Sequence, residues 1–349
     1  MTVYKQKGFD SMIDLISPDK KQYKANLHCH SVLSDGCRTP EELKNMYKSR
    51  GYDILAITDH ERPYQHQALS DKDFMMLTGY ECYIRPDPAG KYDAYALETH
   101  LNLFARDPMN VKMICFNDNY SRYLKRDNAV EDLERVGSER PREYSVAYIN
   151  EYIRTAKEHG YIVAYNHPYW SMEDEANILK YEGLFSVEMC NYSSWLLNHL
   201  EYNGALYDKM LRRGMRIFCH GSDDNHNNYP EGHLLSDSFG SFTMICPEEF
   251  TYESVFEAME KGNMYASMGP LFHRVSVDGD QVHIECSDVA QVFLYTGSKA
   301  TKHVYAEEGS SLNSVDFTID RNARYIRISI QDKDGKRADT RGFFPEEFR

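Results

Sequence analysis

A succession of short apolar runs, each giving way to histidine or a carboxylate, limits what this chain can fold into more than any other feature. The first cluster reads Asn26-Leu27-His28-Cys29-His30-Ser31-Val32-Leu33-Ser34-Asp35-Gly36. On an extended strand the side chains alternate, so His28 and His30 project to one face and Cys29 faces away. The two imidazoles can grip one ion, and Asp35, just past the strand end, is placed for another. Thr58-Asp59-His60, Gly79-Tyr80-Glu81, His100, Asn166-His167-Pro168 and Asp223-Asp224-Asn225-His226 follow in order. One His-x-His arises by chance. A whole series of ligand-type residues at strand ends does not.

The segments between these motifs read as a strand–helix repeat. Thr39 is a plausible N-cap with Pro40 in the first helical position, Glu41 and Glu42 suit the helix dipole, and Gly51 closes the helix. Asp53 to Thr58 is short and almost wholly apolar, as a parallel strand covered on both faces requires, and its end delivers His60. A βαβ unit puts both motifs at one end of the sheet. Phe74 to Thr78 leads to Glu81, and Leu101 to Phe104 follows His100. Val146 to Glu158 has helical spacing, and the run from Tyr161 to Asn166 carries His167. Ser186 to Asn191 reads as a strand, with Asn191 to Trp195 as a loop open to substrate. Leu196, Leu200, Leu206 and Leu211 share helical spacing as far as Gly214, and Arg216 to His220 precedes the last motif. The chain is polar and charge-rich from about 105 to 145, and a solvated insertion beside the site is the simpler reading of that stretch. Beyond Pro270 the period changes to two: Val275 to Ile284 is a hairpin, with further strands at 292–295, 315–319 and 325–330.

The length of 349 residues suits one large α/β domain, residues 1–270, plus a small all-β, sandwich-like domain, residues 271–349. A net charge of −14 argues against extended nucleic-acid binding, which needs a basic stripe, and favours a small substrate. Eight cysteines with no CxxC spacing, among them Cys190, Cys219 and Cys246 in or beside apolar runs, fit a reduced, cytoplasmic protein. The N-terminus has no apolar signal region and no stretch approaches a membrane span, so secretion and membrane partners are not expected. A homo-oligomer is left open.

The ordered motifs resemble the PHP (polymerase and histidinol phosphatase) family over about residues 22–270. The resemblance implies a distorted (β/α)7 barrel with two or three divalent ions at the C-terminal ends of its strands. Carried over position by position, His28, His30, Glu81 and Asp224 would hold one ion. Glu81 would bridge to a second completed by His100 and His167, and Asp35, His60 and His226 would hold the third. Two departures stand out. Many relatives have histidine at the position of Asp35, and the last motif, Gly221-Ser222-Asp223-Asp224-Asn225-His226, carries one extra residue. The Asp-x-His spacing selects Asp224 with His226 and leaves Asp223 a supporting carboxylate.

Imidazoles and carboxylates without cysteine suit zinc, manganese or iron. Such ions bring the pKa of bound water toward ~7 and yield a hydroxide nucleophile at neutral pH. The expected activity is phosphate release from a small phosphorylated metabolite or nucleotide, with His167, Asp35 and Asp224 as catalytic candidates. His167 or an acid beside the third ion would protonate the leaving group, and the sequence does not choose between them. Arg62, Arg85, Lys91, Tyr169 and Asn191 are candidates to meet substrate. A metal-dependent carboxylic ester or amide hydrolase uses the same ions, and a nonenzymatic binding module is the reading from a different class.

Overall fold

The computed structural model describes residues 12–87 and 94–349. Lys91 lies outside them. Its elements, in chain order, begin with strands β1 (Ile13–Ile16) and β2 (Tyr23–Asn26), helix α1 (Pro40–Ser49), and strands β3 (Ile54–Ile57), β4 (Met75–Ile84) and β5 (Thr99–Ala105). Next come the short strand β6 (Met113–Ile114), helix α2 (Arg122–Arg126), short strand β7 (Arg135–Val136), helix α3 (Val146–Glu158) and strand β8 (Tyr161–Tyr165). Then follow α4 (Glu175–Ile178), β9 (Ser186–Asn191), α5 (Tyr192–Asn198), α6 (Gly204–Arg212), β10 (Phe218–Ser222), β11 (Phe242–Ile245), α7 (Tyr252–Lys261) and β12 (Met264–Ser267). The chain divides into two compact units: residues 21–269 with 339–341, and the remainder.

The larger unit is a mixed α/β structure on a large sheet, whose strands lie in the order β10-β9-β8-β5-β4-β3-β2-β11-β12. Strands β2, β3 and β4 are parallel, as are β8, β9 and β10. Between them β5 runs antiparallel to both neighbours. Just past the ends of β2 and β10, Cys29 and Asn225 form a parallel bridge. The amide of Asp224 donates to the His28 carbonyl at 2.9 Å, and that of His30 to the Asn225 carbonyl at 3.0 Å. The first and last strands of the seven-strand run from β2 to β10 are thereby joined. Leu27, Ile54, Ala56, Leu77, Phe104 and Ala164, all buried, pack into one core with the helix residues Val255, Phe256 and Met259.

Local chemistry accounts for the helix ends. At α1 the Thr39 hydroxyl accepts from the Glu42 amide at 3.2 Å while the Glu42 carboxylate accepts from the Thr39 amide at 2.8 Å. This reciprocal cap is worth ~1 kcal/mol. Gly51, just past the helix, has φ +73°, and Gly262 caps α7 at φ +68°, both in the left-handed region open to glycine. Two expectations fail in this half of the chain. Residues 192–198 form α5 rather than a loop, because the Asn191 side chain accepts from the Ser194 amide and starts a helix there. The leucine series is not one helix either: α5 ends at His199, φ +55°, and α6 begins at Gly204. Hydrophobic spacing survived a break that the backbone did not.

In the smaller unit, β1 pairs antiparallel with β13 (Phe272–Asp278), which pairs with β14 (Gln281–Val289), which pairs with β17 (Leu312–Thr318). Strand β15 (Gln291–Tyr295) pairs with β16 (Lys302–Tyr305) and with β18 (Arg327–Gln331). Thus β1, from the chain's N-terminal end, belongs with the C-terminal strands. No helix among the described residues is long and apolar enough to cross a membrane. None of the eight cysteines is in a disulfide; Cys37 is exposed, Cys246 half-buried and the other six buried. A thiol reagent is therefore expected to modify Cys37 rapidly in the native protein, Cys246 slowly, and all eight only after unfolding. Release of more than two equivalents from folded protein would contradict this packing.

Candidate metal centre

The histidine and acid motifs, from His28 to His226, converge on one cluster. Glu81 is its hub. One carboxylate oxygen of Glu81 lies 3.3 Å from His28 Nε2, 3.1 Å from His100 Nδ1 and 3.3 Å from His167 Nε2. The other lies 3.0 Å from His60 Nδ1 and 3.4 Å from His30 Nε2. Asp224 Oδ1 sits 3.1 Å from His28 Nε2 and 2.9 Å from His30 Nε2. Toward solvent, Asp35 is 3.7 Å from His30, and 3.6 Å from both His60 and His226. Ligand atoms fall into three sets close enough to share an ion: His28, His30 and Asp224; His60, Glu81 and His100; and His30, Asp35, His60 and His226.

The fold explains how these side chains meet. His28, His60 and Asp224 follow parallel strands that end on one side of the sheet. His100 arrives differently, from the start of β5, and because β5 runs the other way that start lies opposite Tyr83 at the same end. Glu81 lies within β4, which continues past the apolar run seen in the sequence. Asp59 accepts from the Ser31 amide at 2.8 Å and from the Ser31 and Ser34 hydroxyls, pinning the loop that carries Asp35. Glu61, His167 and Asp224 have φ of +51°, +26° and +54°, a left-handed backbone unusual for non-glycine residues and held by the surrounding contacts.

The donor set fits divalent cations. Asp35 Oδ1, His60 Nδ1, Glu81 Oε2, His100 Nε2 and Asp224 Oδ1 are buried and have no hydrogen-bond partner. A buried polar atom left this way costs ~1–3 kcal/mol, which an ion placed among them would relieve. Burial opposes charge on His30 and His100, yet Asp224 and Glu81 push His30 up to about 10, and Glu81 and Glu98 do the same for His100. Against the same burial, the neighbouring imidazoles hold Glu81 and Asp224 well below the usual carboxylate range. Asp35 is lowered by His60, His30 and His226.

The cluster opens into a cavity of about 750 Å³ lined by Asp35, His60, Glu81, His100, His167, Asp224 and His226. Tyr83, Trp170 and Leu197 provide apolar wall, and Arg85, Arg122 and Lys125 add positive charge. Of the expected substrate residues, Arg85 thus faces the cavity. Arg62 is not among its lining residues: it is buried, pairs with Asp127 at 2.7 Å and donates to the Tyr123 carbonyl. Tyr169 lines a neighbouring cavity with Met172 and Glu173. Asn191 lies beneath the cluster and donates at 3.0 Å to both Asp224 and Glu188. The polar 105–145 stretch is no solvated excursion, since Asp118, Asn119, Arg122, Tyr123 and Lys125 all line the site.

Asp223 is a supporting carboxylate, accepting from the amides of Phe239, Gly240 and Ser241 and from the Tyr47 hydroxyl. Burial raises it to about 6 although those bonds oppose the shift. Sequence reasoning missed Glu188. It is fully buried, accepts from the His167 amide at 2.7 Å, meets His28 Nδ1 at 2.9 Å and takes the Ser222 hydroxyl bond. The signal was present: one glutamate in the apolar strand Ser186–Asn191 needs partners to be buried at all.

No family model matches the chain, and no curated protein matches it. Solved structures give distant likenesses. A two-domain protein from Bacteroides vulgatus containing a predicted PHP-like metal-dependent phosphoesterase is 14% identical, with a TM-score of 0.46, over 97% of this chain and 100% of that one. A metal-dependent phosphoesterase candidate from Bifidobacterium adolescentis is 18% identical, with a TM-score of 0.35, over 63% of this chain and 94% of that one. An amidohydrolase from Chromobacterium violaceum, with bound sulfate and no metal, is 17% identical with a TM-score of 0.38, over 58% of this chain and 87% of that one. Likenesses this weak decide nothing about chemistry, which rests on the side chains.

Proposed function

We propose that the protein is a metal-dependent phosphoesterase of PHP type, built on a distorted (β/α)7 barrel with a smaller β-rich unit. Its substrate is a small phosphorylated metabolite or nucleotide. The observation that carries this reading is Glu81, one carboxylate within 3.4 Å of the imidazoles of His28, His30, His60, His100 and His167. A carboxylate so placed would hold divalent ions together with those imidazoles. Two or three Zn, Mn or Fe ions would be held by His28, His30, Glu81, His100, His167 and Asp224, and by Asp35, His60 and His226. When bound they supply charge for the phosphoryl oxygens and a nucleophile at neutral pH.

The chain's own residues do the rest. Glu188, meeting His28 Nδ1, fixes that ring so that Nε2 faces Glu81 and Asp224. His167 lies on the cavity wall with Trp170 beside it, ring centroids 4.9 Å apart, its Nε2 toward Glu81 and its Nδ1 3.2 Å from the Ser171 hydroxyl, so its part is to help hold an ion. The cysteines outside disulfides and the acidic charge accord with a cytoplasmic enzyme of small substrates.

The direct test assays metal-loaded protein against phosphorylated metabolites, 4-nitrophenyl phosphate and an aryl acetate. Mn- or Zn-dependent phosphate release is expected. Absence of turnover with every phosphoester at full metal loading would sink the reading, and turnover of the acetate alone would move it to carboxylic esters. Asp35 allows a finer prediction. Its hard oxygen faces His60 and His226 at the outer side of the cluster, so Asp35→Ala should lower activity severely while the ions around Glu81 stay bound. Elemental analysis of the variant provides the check: loss of all metal together would contradict separate sites.

A further inference from the structure

We infer that Arg122, carried into the site by the 105–145 insertion, is a substrate-binding residue that holds an anionic oxygen of the phosphoryl group at the Asp35 side of the cluster. This rests on the phosphoesterase reading above and names the residue that makes the cavity selective for a charged ester.

Position is the first ground. Arg122 lines the same cavity as the cluster, and its guanidinium lies 3.8 Å from Asp35 Oδ2. Its side chain is 68% exposed, so a ligand entering the cavity reaches it without displacing protein. The second ground is rigidity. The guanidinium stacks over the Tyr123 ring at 4.3 Å and donates to the Tyr123 hydroxyl. Helix α2 itself is pinned to the loop bearing Asp35: Arg126 donates to the carbonyls of Val32, Leu33 and Ser34 at 2.8–3.1 Å. Beside it, Asp127 at the C-terminal end of the helix accepts from the buried Arg62.

Charge is the third ground. Lys125, on the same wall, is already paired with Asp118 at 2.6 Å. Asp35 is the acid within ion-pair range of Arg122 among the described residues, and Asp35 also faces His30, His60 and His226. Once Asp35 gives its oxygens to a cation, the guanidinium lacks a counter-ion. A phosphoryl oxygen in the cavity restores one, with the fork geometry that arginine offers phosphate. A neutral carboxylic ester would gain nothing from it.

The test compares metal-loaded wild type with Arg122→Ala and Arg122→Lys, using inorganic phosphate in calorimetric titrations and 4-nitrophenyl phosphate in kinetics. Metal content is measured on each. Arg122→Ala should keep its metal, bind phosphate at least ~10-fold more weakly and raise KM by a similar factor. Added guanidinium ion should restore part of the loss, and Arg122→Lys should fall between the two. Unchanged phosphate affinity in Arg122→Ala, or a loss that follows metal loss, would overturn the inference and leave the phosphoesterase reading standing. Wild type that neither binds nor releases phosphate would overturn both.

Discussion

Glu81→Gln is expected to remove hydrolysis almost entirely and to strip the metal centre. The loss should exceed the ~10–100-fold typical of altering a residue outside the ligand shell. The reason is geometric and electrostatic together. Both Glu81 oxygens lie 3.0–3.4 Å from imidazoles, those of His28, His30, His60, His100 and His167. Glutamine keeps the shape and removes the negative charge, so a cation between these rings loses its counter-charge, and the amide NH2 points a donor where a ligand is needed. Without ions the variant also loses the negative charge that raises the pKa of both His30 and His100. Metal analysis and phosphate release on the purified variant decide the matter. Retention of full metal content and of activity within tenfold would remove Glu81 from the centre of the site.

The largest effect on stability is expected at Arg142. This side chain is fully buried in the polar stretch and forms a two-pronged ion pair with Glu61, at 2.5 and 2.8 Å. It also donates to the Tyr83 carbonyl at 2.8 Å, while Glu61 accepts from the Tyr83 amide at 3.0 Å. Glu61 follows His60, and its own amide donates to the Glu81 carbonyl at 2.7 Å. Arg142 therefore ties the insertion to the backbone that presents two members of the cluster. Arg142→Met strands a buried carboxylate and should cost ~3–5 kcal/mol. For a unit of this size that lowers the apparent Tm by on the order of 10 °C. The double variant Arg142→Met with Glu61→Leu should recover much of the loss, since no charge is then left buried, although the Tyr83 amide stays without its acceptor. Thermal unfolding of both variants in the metal-free form measures the pair directly. A single variant as stable as wild type would mean that water reaches this pair.

How much of this was legible beforehand depends on whether the signal was local. The cap at Thr39, the apolar strand ending before His60 and the helix from Val146 to Glu158 are local, and the structure has them at those residues. The clustering of His28, His30, His167, Asp224 and His226 was also legible, because residues that follow parallel strands of one sheet are carried to one side of it, whereas Glu81 sits within β4 and His100 at the start of the antiparallel β5. The break between α5 and α6 was not. Leucine spacing reports which face is buried, and a face can continue across a turn such as that at His199.

The sequence by itself determined the ligand types, their order and the strand ends that bear them, since propensity and alternation act over a few residues. Only the tertiary structure decided which partner each long side chain takes. Arg62 and Arg122 look alike in the sequence. One is drawn inward by Asp127 and buried, and the other is left facing the cavity, because α2 is pinned with one flank against protein and the other over the cluster. Glu188 was decided in the same way: a strand glutamate becomes part of the site only when His28, His167 and Asn191 arrive from elsewhere in the chain to satisfy its charge. Charge pairing acts through space, and separation along the chain does not reveal it.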